Sequence, residues 1–501
     1  MTENIKKHLK ENKEIYIIGV IFAVLIFFSG PANNLISDSA YYADIAHNLL
    51  NNHALMHNFE MESGGISYGF PLILSLFMFI FKTEYILFYL AAASFSLVTA
   101  NYFLVKKITK DKKTSVLSTL LLIFTSEILF NSRLLINDVL FVILTLTSFL
   151  IYFSYLDERN RRKKLSLSVL LGFAIAYGFT IRPSFVFVLV SIMIFGIIND
   201  MRNKRNMIYY LVPALIVISS FFAGSAIFNS GDEYAGKIYT DSLKDYEMSG
   251  HISLNIERLK DGEVLESTID IDKTVPPQII NIIRMLLIFL VYIGPFLLLG
   301  IFYSMYKEAI NNNIKKTIKK PEFLLYLWAG IYILFHLYWP NALAVRYMLP
   351  LFPVFALFFA KMAVDNWEKY KKIIFVLIVF HLIFSGLVII HESQTRWDRY
   401  DTDVLKDGGE WIKDNSVSGD VIYLFNEDTT SAIIYYGERK VFFSKEYDSK
   451  NIQKSGSRYV LSSDIGGKTD IFIDIASEDV YELCERFEDD KCYLNIYSKE
   501  C

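Results

Sequence analysis

Cysteine is scarce in this chain: Cys484, Cys492 and Cys501 are the only three in 501 residues, and all lie near its end. Their spacing fits no zinc or redox motif. It leaves open a Cys484–Cys492 disulfide, if that end faces an oxidising compartment, or three free thiols. Charge is scarce too. Only 21% of residues are charged, against 53% hydrophobic and 16% aromatic, and mean hydropathy is +0.33. A water-soluble chain of this length does not carry that balance. The net charge of −3 averages basic loops against an acidic tail and decides nothing. There is no Walker loop, no Rossmann glycine pattern and no HExxH, so nothing points to a P-loop NTPase, a dinucleotide enzyme or a zinc protease. No cleavable leader is evident in the sequence. The first apolar run, 15–30, has a basic front but leads into Pro31-Ala32-Asn33-Asn34, and reads as an uncleaved first helix.

What is present is a series of apolar runs of near-spanning length: 15–30, 84–105, 114–130, 134–156, 165–181, 184–199, 207–228, 279–305, 322–339, 343–360 and 373–390. A spanning helix needs about 20 residues. A shorter piece, 68–81, carries Gly69 and Pro71 and is separated from the next run only by Lys82 and Thr83. Lys and Arg collect in cytoplasmic loops. With 68–81 left out and the N-terminus inside, the inner loops hold 26 basic residues and the outer loops 8. The expectation is therefore eleven spans, N-terminus cytoplasmic and C-terminus outside, with 68–81 re-entrant or lying on the membrane surface. The fold class expected is a polytopic α-helical membrane protein with a small C-terminal soluble α/β domain. Residues 1–391 form the membrane domain, with outer loops 31–83 and 229–278, and 392–501 form the soluble one. In the tail a helix is expected from Asp403 to Asn415, and strands at Val421–Phe425, Lys440–Phe443 and Asp470–Asp474, with turn signals between them.

Polar groups beside apolar spans are costly and so become candidate sites. Four constellations stand out, all at the expected outer edge. Asp38, with Tyr41 and Tyr42, opens an amphipathic segment, 36–50, suited to the membrane surface. The plainer alternative for Asp38 is a helix N-cap. Asn137 and Asp138 lie at the start of the 134–156 run, with Arg133 five residues before Asp138. There the alternative is an Asp–Arg pair that closes a helix end, because a lone buried carboxylate would be costly. Arg182 precedes Pro183 at the end of another run, where an Arg also snorkels to the interface. Arg346-Tyr347 opens the 343–360 run, and an Arg on the outer side suits bidentate phosphate binding. His336 and His381 lie in apolar runs without an assigned role.

In their order these pieces resemble the GT-C glycosyltransferases, in particular the protein O-mannosyltransferases and the aminoarabinose transferases of lipid A. Asp38 with Tyr41 and Tyr42 matches the acidic motif after the first span, although Ser39 replaces a frequent Glu. Gly69-Phe70-Pro71-Leu72 matches a surface helix with a Pro-Leu step. Arg133 and Asp138 match an Arg and a carboxylate at the top of a span, and Arg346-Tyr347-Met348-Leu349-Pro350 matches an Arg-Tyr before a Pro-containing helix. The likeness covers about residues 15–390. It implies inverting transfer of a sugar from a polyprenyl-phosphate carrier to an acceptor hydroxyl on a protein, glycan or lipid at the outer face, with no nucleic-acid partner. Such an enzyme needs a base for the acceptor and a cation for the departing phosphate. The expected base is Asp38, with Asp138 placing the acceptor or Asp38 itself. Arg346, Arg182 and Arg133 are expected to bind the phosphate, and Tyr41, Tyr42, Asn137 and Tyr347 the substrates. No paired acidic motif suits a metal on a diphosphate donor, so no cofactor is required, a divalent metal being left open. The alternative is a secondary transporter or lipid flippase, which would place its polar residues near the bilayer midplane, often in broken helices. A mere membrane anchor would not need eleven spans.

Overall fold

The structure is a computed structural model that describes residues 2–29, 35, 38–52, 68–200, six positions between 212 and 219, 277–311, 317–338, 345–392, 403–417, 419–424, 427–443, 457–463, 482–488 and 493–498. The expected span 207–228 lies almost wholly outside the described residues, as do the loop 229–278 and the strand 470–474.

The first half of the chain forms α1 (Thr2–Glu11), α2 (Lys13–Ser29), α3 (Asp38–Asn52), α4 (Gly69–Phe81), α5 (Tyr85–Thr109), α6 (Lys112–Ile123), α7 (Ser126–Asn131), α8 (Asn137–Asp157), α9 (Arg161–Ile181) and α10 (Val186–Asp200). Local chemistry sets several of these boundaries. Lys110 takes a left-handed conformation that ends α5, and the Asp111 carboxylate accepts from the amides of Lys113 and Thr114 to start α6. Asn160 caps α9 in the same way. The second half continues with α11 (Pro277–Ile288), α12 (Pro295–Asn311), α13 (Pro321–Leu337), α14 (Phe352–Asp365) and α15 (Trp367–Glu392). Three of these begin on Pro, whose missing N–H would be unpaired there anyway.

Among the described residues, five helical stretches are long and apolar enough to cross a membrane: Gly69–Thr109, Asn137–Asp157, Arg161–Ile181, Val345–Asp365 and Trp367–His391. The first is not one straight rod. Lys82 has φ +53°, and beyond it Phe81 stacks on Phe88 while both Phe70 and Phe77 meet Tyr89 edge-on, so α4 turns back against α5. The run 279–305, expected to be a single span, is instead Asn281–Ile293 and Pro295–Lys307 meeting at 107°. The break is at Gly294, whose φ of +83° favours glycine, followed by a Pro that cannot continue the ladder. The run 114–130 is also divided, α6 ending before Thr125 and α7 following it. Among the described residues there are by length and composition five such stretches, or six with the bent pair counted as one span. Pro183–Asn199 and Pro321–Leu337 are also apolar but shorter.

Helix α3 is not a simple surface helix. It is covered on one side by α4 and on another by a helix of the C-terminal domain, with Ala40, Ala43 and Ala46 fully buried. Small side chains let its backbone approach both neighbours. The α4 end of this packing depends on Gly69. A Cβ there would collide with Thr180 Oγ1 of α9, and the Gly69 carbonyl accepts from the Tyr177 hydroxyl at 2.9 Å. Replacing Gly69 by Ala is expected to destabilise the protein by about 1–3 kcal/mol through overpacking. Thermal unfolding in detergent checks this, and an unchanged midpoint would show that α9 gives way freely.

The C-terminal domain contains α16 (Val404–Asn415), α17 (Glu427–Gly437) and a five-stranded sheet: β1 (Val421–Leu424), β2 (Lys440–Phe443), β3 (Tyr459–Ser463), β4 (Glu482–Glu488) and β5 (Tyr493–Ser498). The strand order is β2-β1-β3-β5-β4, with β2, β1 and β3 parallel and β5 and β4 antiparallel. The parallel β1–β2 pair is joined through α17, the crossover that parallel strands require. Cys484 on β4 is disulfide-bonded, its partner lying outside the described residues.

Candidate functional site

Helices α8 and α9 run antiparallel through the short turn at 158–160. The first turn of α8 and the residue after α9 therefore lie at the same end of the bundle. That geometry joins Asp138 to Arg182. Arg182 Nη2 lies 2.6 Å from Asp138 Oδ1, with the carboxylate side chain 1% exposed and the guanidinium 15%. The carboxylate also sits in the first turn of α8, where the helix dipole favours negative charge.

A second ion pair lies in the same cluster. Asp38 is the first residue of α3, again a helix N-terminus, and its Oδ2 accepts from Arg346 Nη1 at 2.7 Å. Arg346 stands in a 3-10 segment, Val345–Leu351, that leads into α14. This pair is half open, Asp38 being 45% exposed and Arg346 36%. The two pairs lie within electrostatic reach of each other. The inner pair is largely buried and the outer one half exposed, so of the two carboxylates Asp38 is the one open to solvent.

Neutral groups tie the pairs together. Asn137 Nδ2 donates to the Tyr42 hydroxyl at 3.1 Å and to the Ile181 carbonyl at 3.2 Å, linking α8 to α3 and to the end of α9. Tyr42 follows Asp38 by one turn, and Phe70 of α4 packs edge-on against its ring. Burial pushes the Tyr42 phenol well above its usual range, with the Asp38 charge adding to the effect, so it stays a neutral hydroxyl. The Tyr347 ring lies under both guanidinium groups, 5.1 Å from that of Arg182 and 5.6 Å from that of Arg346. The Tyr347 carbonyl accepts from the Tyr332 hydroxyl of α13 at 2.7 Å, which fixes the 3-10 segment. His336, one turn beyond Tyr332, packs on that ring at 4.3 Å and gives its Nδ1 to the Tyr332 carbonyl.

Of the residues singled out from the sequence, Asp38, Tyr42, Asn137, Asp138, Arg182, Arg346 and Tyr347 converge. Tyr41 is beside them, its ring edge-on to Tyr42 at 5.9 Å. Arg133 points elsewhere: its Nη2 donates to the Ser29 carbonyl at the end of α2, 2.8 Å away. The Asp138 partner is Arg182 and not the nearer Arg133, because α8 starts only at Asn137 and Arg133 precedes that turn. Tyr332, His336, Phe70 and Phe141, whose ring lies 5.8 Å from the Arg182 guanidinium, were not foreseen as parts of this cluster. The only sequence signal for the first two is a Tyr and a His one turn apart on an apolar helix. Among the described residues no group of three or more His, Cys, Asp or Glu is arranged to hold a metal ion.

Residues 40–219 match the family model for dolichyl-phosphate-mannose-protein mannosyltransferase. The match spans Tyr42, Asn137, Asp138 and Arg182, starts two residues after Asp38 and ends before Arg346. In fold, the chain is similar to ArnT from Cupriavidus metallidurans bound to undecaprenyl phosphate, with a TM-score of 0.62 at 9% identity, covering 96% of this chain and 97% of that one. It is also similar to the oligosaccharyltransferase AglB from Archaeoglobus fulgidus, in complex with an inhibitory peptide and a dolichol-phosphate. There the TM-score is 0.60 at 12% identity, covering 91% of this chain and 70% of that one. No curated protein matches the sequence. The likeness read from the motifs is thus accompanied by a similar fold over 96% of the chain and by a family-model match to residues 40–219.

Proposed function

We propose that this chain is a membrane glycosyltransferase that takes a sugar from a polyprenyl-phosphate carrier and passes it, with inversion, to an acceptor hydroxyl at the outer face of the membrane. The observation that carries the reading is the half-open Asp38–Arg346 pair, standing over a buried Asp138–Arg182 pair at one end of an apolar helix bundle. The known structures of similar fold, solved with undecaprenyl phosphate and with dolichol-phosphate, support a lipid-phosphate donor.

The chemistry balances with the groups present. The acceptor oxygen attacks the anomeric carbon as the bond from that carbon to the phosphate oxygen breaks. The acceptor proton passes to the Asp38 carboxylate. The electron pair leaves on the phosphate, which gains a negative charge, and Arg346 supplies the compensating cation, with Arg182 behind it across the Tyr347 ring. Without donor, Arg346 is occupied by Asp38. An arriving phosphate competes for the same guanidinium, and its capture releases Asp38 to act as a base. The donor thus primes the site before the acceptor reacts. Asp138 keeps Arg182 in place and does not reach the acceptor. The N-terminus is on the cytoplasmic side and the C-terminal domain outside, where a disulfide at Cys484 persists. The sugar, a hexose or a pentose, is set by contacts beyond these four charges.

Arg346→Ala is expected to lower turnover about 10²–10³-fold, the range for removing a group that stabilises developing charge. Arg346→Lys, which keeps the charge and loses the fork, should recover part of it. Release of sugar from a panel of polyprenyl-phosphate sugars by the purified protein tests both. Wild-type rates in Arg346→Ala would remove Arg346 from the phosphate role. One feature favours a transporter, the helix broken at Gly294. Carrier lipid moved across proteoliposomes with no sugar released from any donor would move that reading to the front.

A further inference from the structure

We infer that the C-terminal domain holds the candidate base in position, and that Tyr436 is the positioning residue through which it does so. The inference rests on the reading of Asp38 as the base. The backbone N–H of Leu35 donates to the Tyr436 hydroxyl at 2.9 Å, although the two residues are 401 positions apart. Leu35 lies three residues before Asp38, and its side chain is buried at 5% exposure. The same helix, α17, packs along α3, and Tyr435 brings its hydroxyl to 3.5 Å from that of Tyr85 at the start of α5. Tyr436 is itself fixed from behind. A Cβ on Gly409 of α16 would lie 2.5 Å from the Tyr436 Cβ, so the α16 backbone presses directly on this residue. Burial pushes the Tyr436 phenol up to about 12, and it therefore stays a neutral hydroxyl.

The placement of these contacts gives them a consequence in the reaction. In the resting site Asp38 is fixed by two kinds of attachment: its own ion pair to Arg346, and the anchoring of α3. Once the donor phosphate takes Arg346, the ion pair is gone at the moment the carboxylate must meet the acceptor. What then keeps the first turn of α3 from moving is the Asn137–Tyr42 bond on its membrane-domain side and the Tyr436–Leu35 bond on its outer side. A small displacement of a reacting group costs rate far more than it costs binding. The soluble domain thus acts on turnover without touching the substrate.

Tyr436→Phe removes one oxygen and keeps the ring. In the full-length protein in nanodiscs it is expected to lower kcat roughly tenfold, with the donor KM within about twofold of wild type and the melting midpoint unchanged. Hydrogen–deuterium exchange should rise in the peptides that cover 31–47. Tyr435→Phe, whose hydroxyl contact is longer, serves as the matched control and should leave all three readouts near wild type. Wild-type exchange in Tyr436→Phe would overturn the tether, and faster exchange with wild-type kcat would overturn its role in positioning. Failure of the underlying reading looks different: Asp38→Asn would then keep full activity, while the exchange change in Tyr436→Phe would still appear.

Discussion

Asp38→Asn is expected to lower sugar transfer by about 10²–10⁴-fold, the usual contribution of a positioned general base. The loss should fall on kcat. Asn keeps the size and the hydrogen-bonding oxygen of Asp but cannot take the acceptor proton. It is also a weaker rival for Arg346, because a hydrogen bond to a charged acceptor is roughly twice as strong as one to a neutral amide. The variant should therefore bind the donor phosphate at least as well as wild type while failing to turn it over. A residue that only capped α3 would behave differently. Losing a cap costs about 1 kcal/mol of stability, and Asn is itself a good cap, so rate and stability would both stay close to wild type. Single-turnover kinetics with a radiolabelled polyprenyl-phosphate sugar separates the two.

The second large effect is on stability. Arg182→Ala leaves Asp138 at 1% exposure with its ion partner removed. Breaking a buried pair from one side costs about 3–5 kcal/mol, because the remaining buried charge loses its direct partner. Removing both charges, as in Asp138→Asn with Arg182→Gln, should regain most of that loss. It should not regain full activity, since Arg182 also faces Tyr347, beside the proposed phosphate ligand Arg346. Denaturant titration in detergent measures the first effect and sugar transfer the second. If Arg182→Ala unfolded like wild type, the carboxyl of Asp138 would have to be neutral or reached by water.

The residues of the charged cluster were visible in the sequence for a simple reason. An Asp or Arg beside an apolar run is expensive, so each one marks a place where something must compensate it. That logic found Asp38, Asp138, Arg182 and Arg346 without any structure. Which charge compensates which was not visible. The partners Asp38 and Arg346 are 308 positions apart, and only the packing of α3 beside the 3-10 segment joins them. For Asp138 the sequence offered Arg133, five residues away, whereas the antiparallel pair α8 and α9 brings Arg182 from forty-four residues away. The spans were legible where the helices run unbroken, as at α8 and α9. Their breaks were not legible where an apolar run bends without changing its composition. Gly294-Pro295 carried the breaker signal for one such bend; the step at Thr125 carried none. In the soluble domain, β1 and β2 stood out because they are short apolar runs between turns. The strand β4, Glu-Leu-Cys-Glu-Arg-Phe-Glu, lies at the sheet edge and is mostly exposed, so it has no apolar pattern to read. The Tyr436–Leu35 bond had no sequence signal of any kind.

In the proposed mechanism the donor phosphate takes Arg346 away from Asp38 and so frees the base. Affinity for a polyprenyl phosphate, compared between wild type and Asp38→Asn in nanodiscs, tests it most directly. The expected result is equal or tighter binding by Asp38→Asn together with lost transfer. Weaker binding by Asp38→Asn would contradict it, because it would make Asp38 part of what holds the donor and not the group the donor displaces.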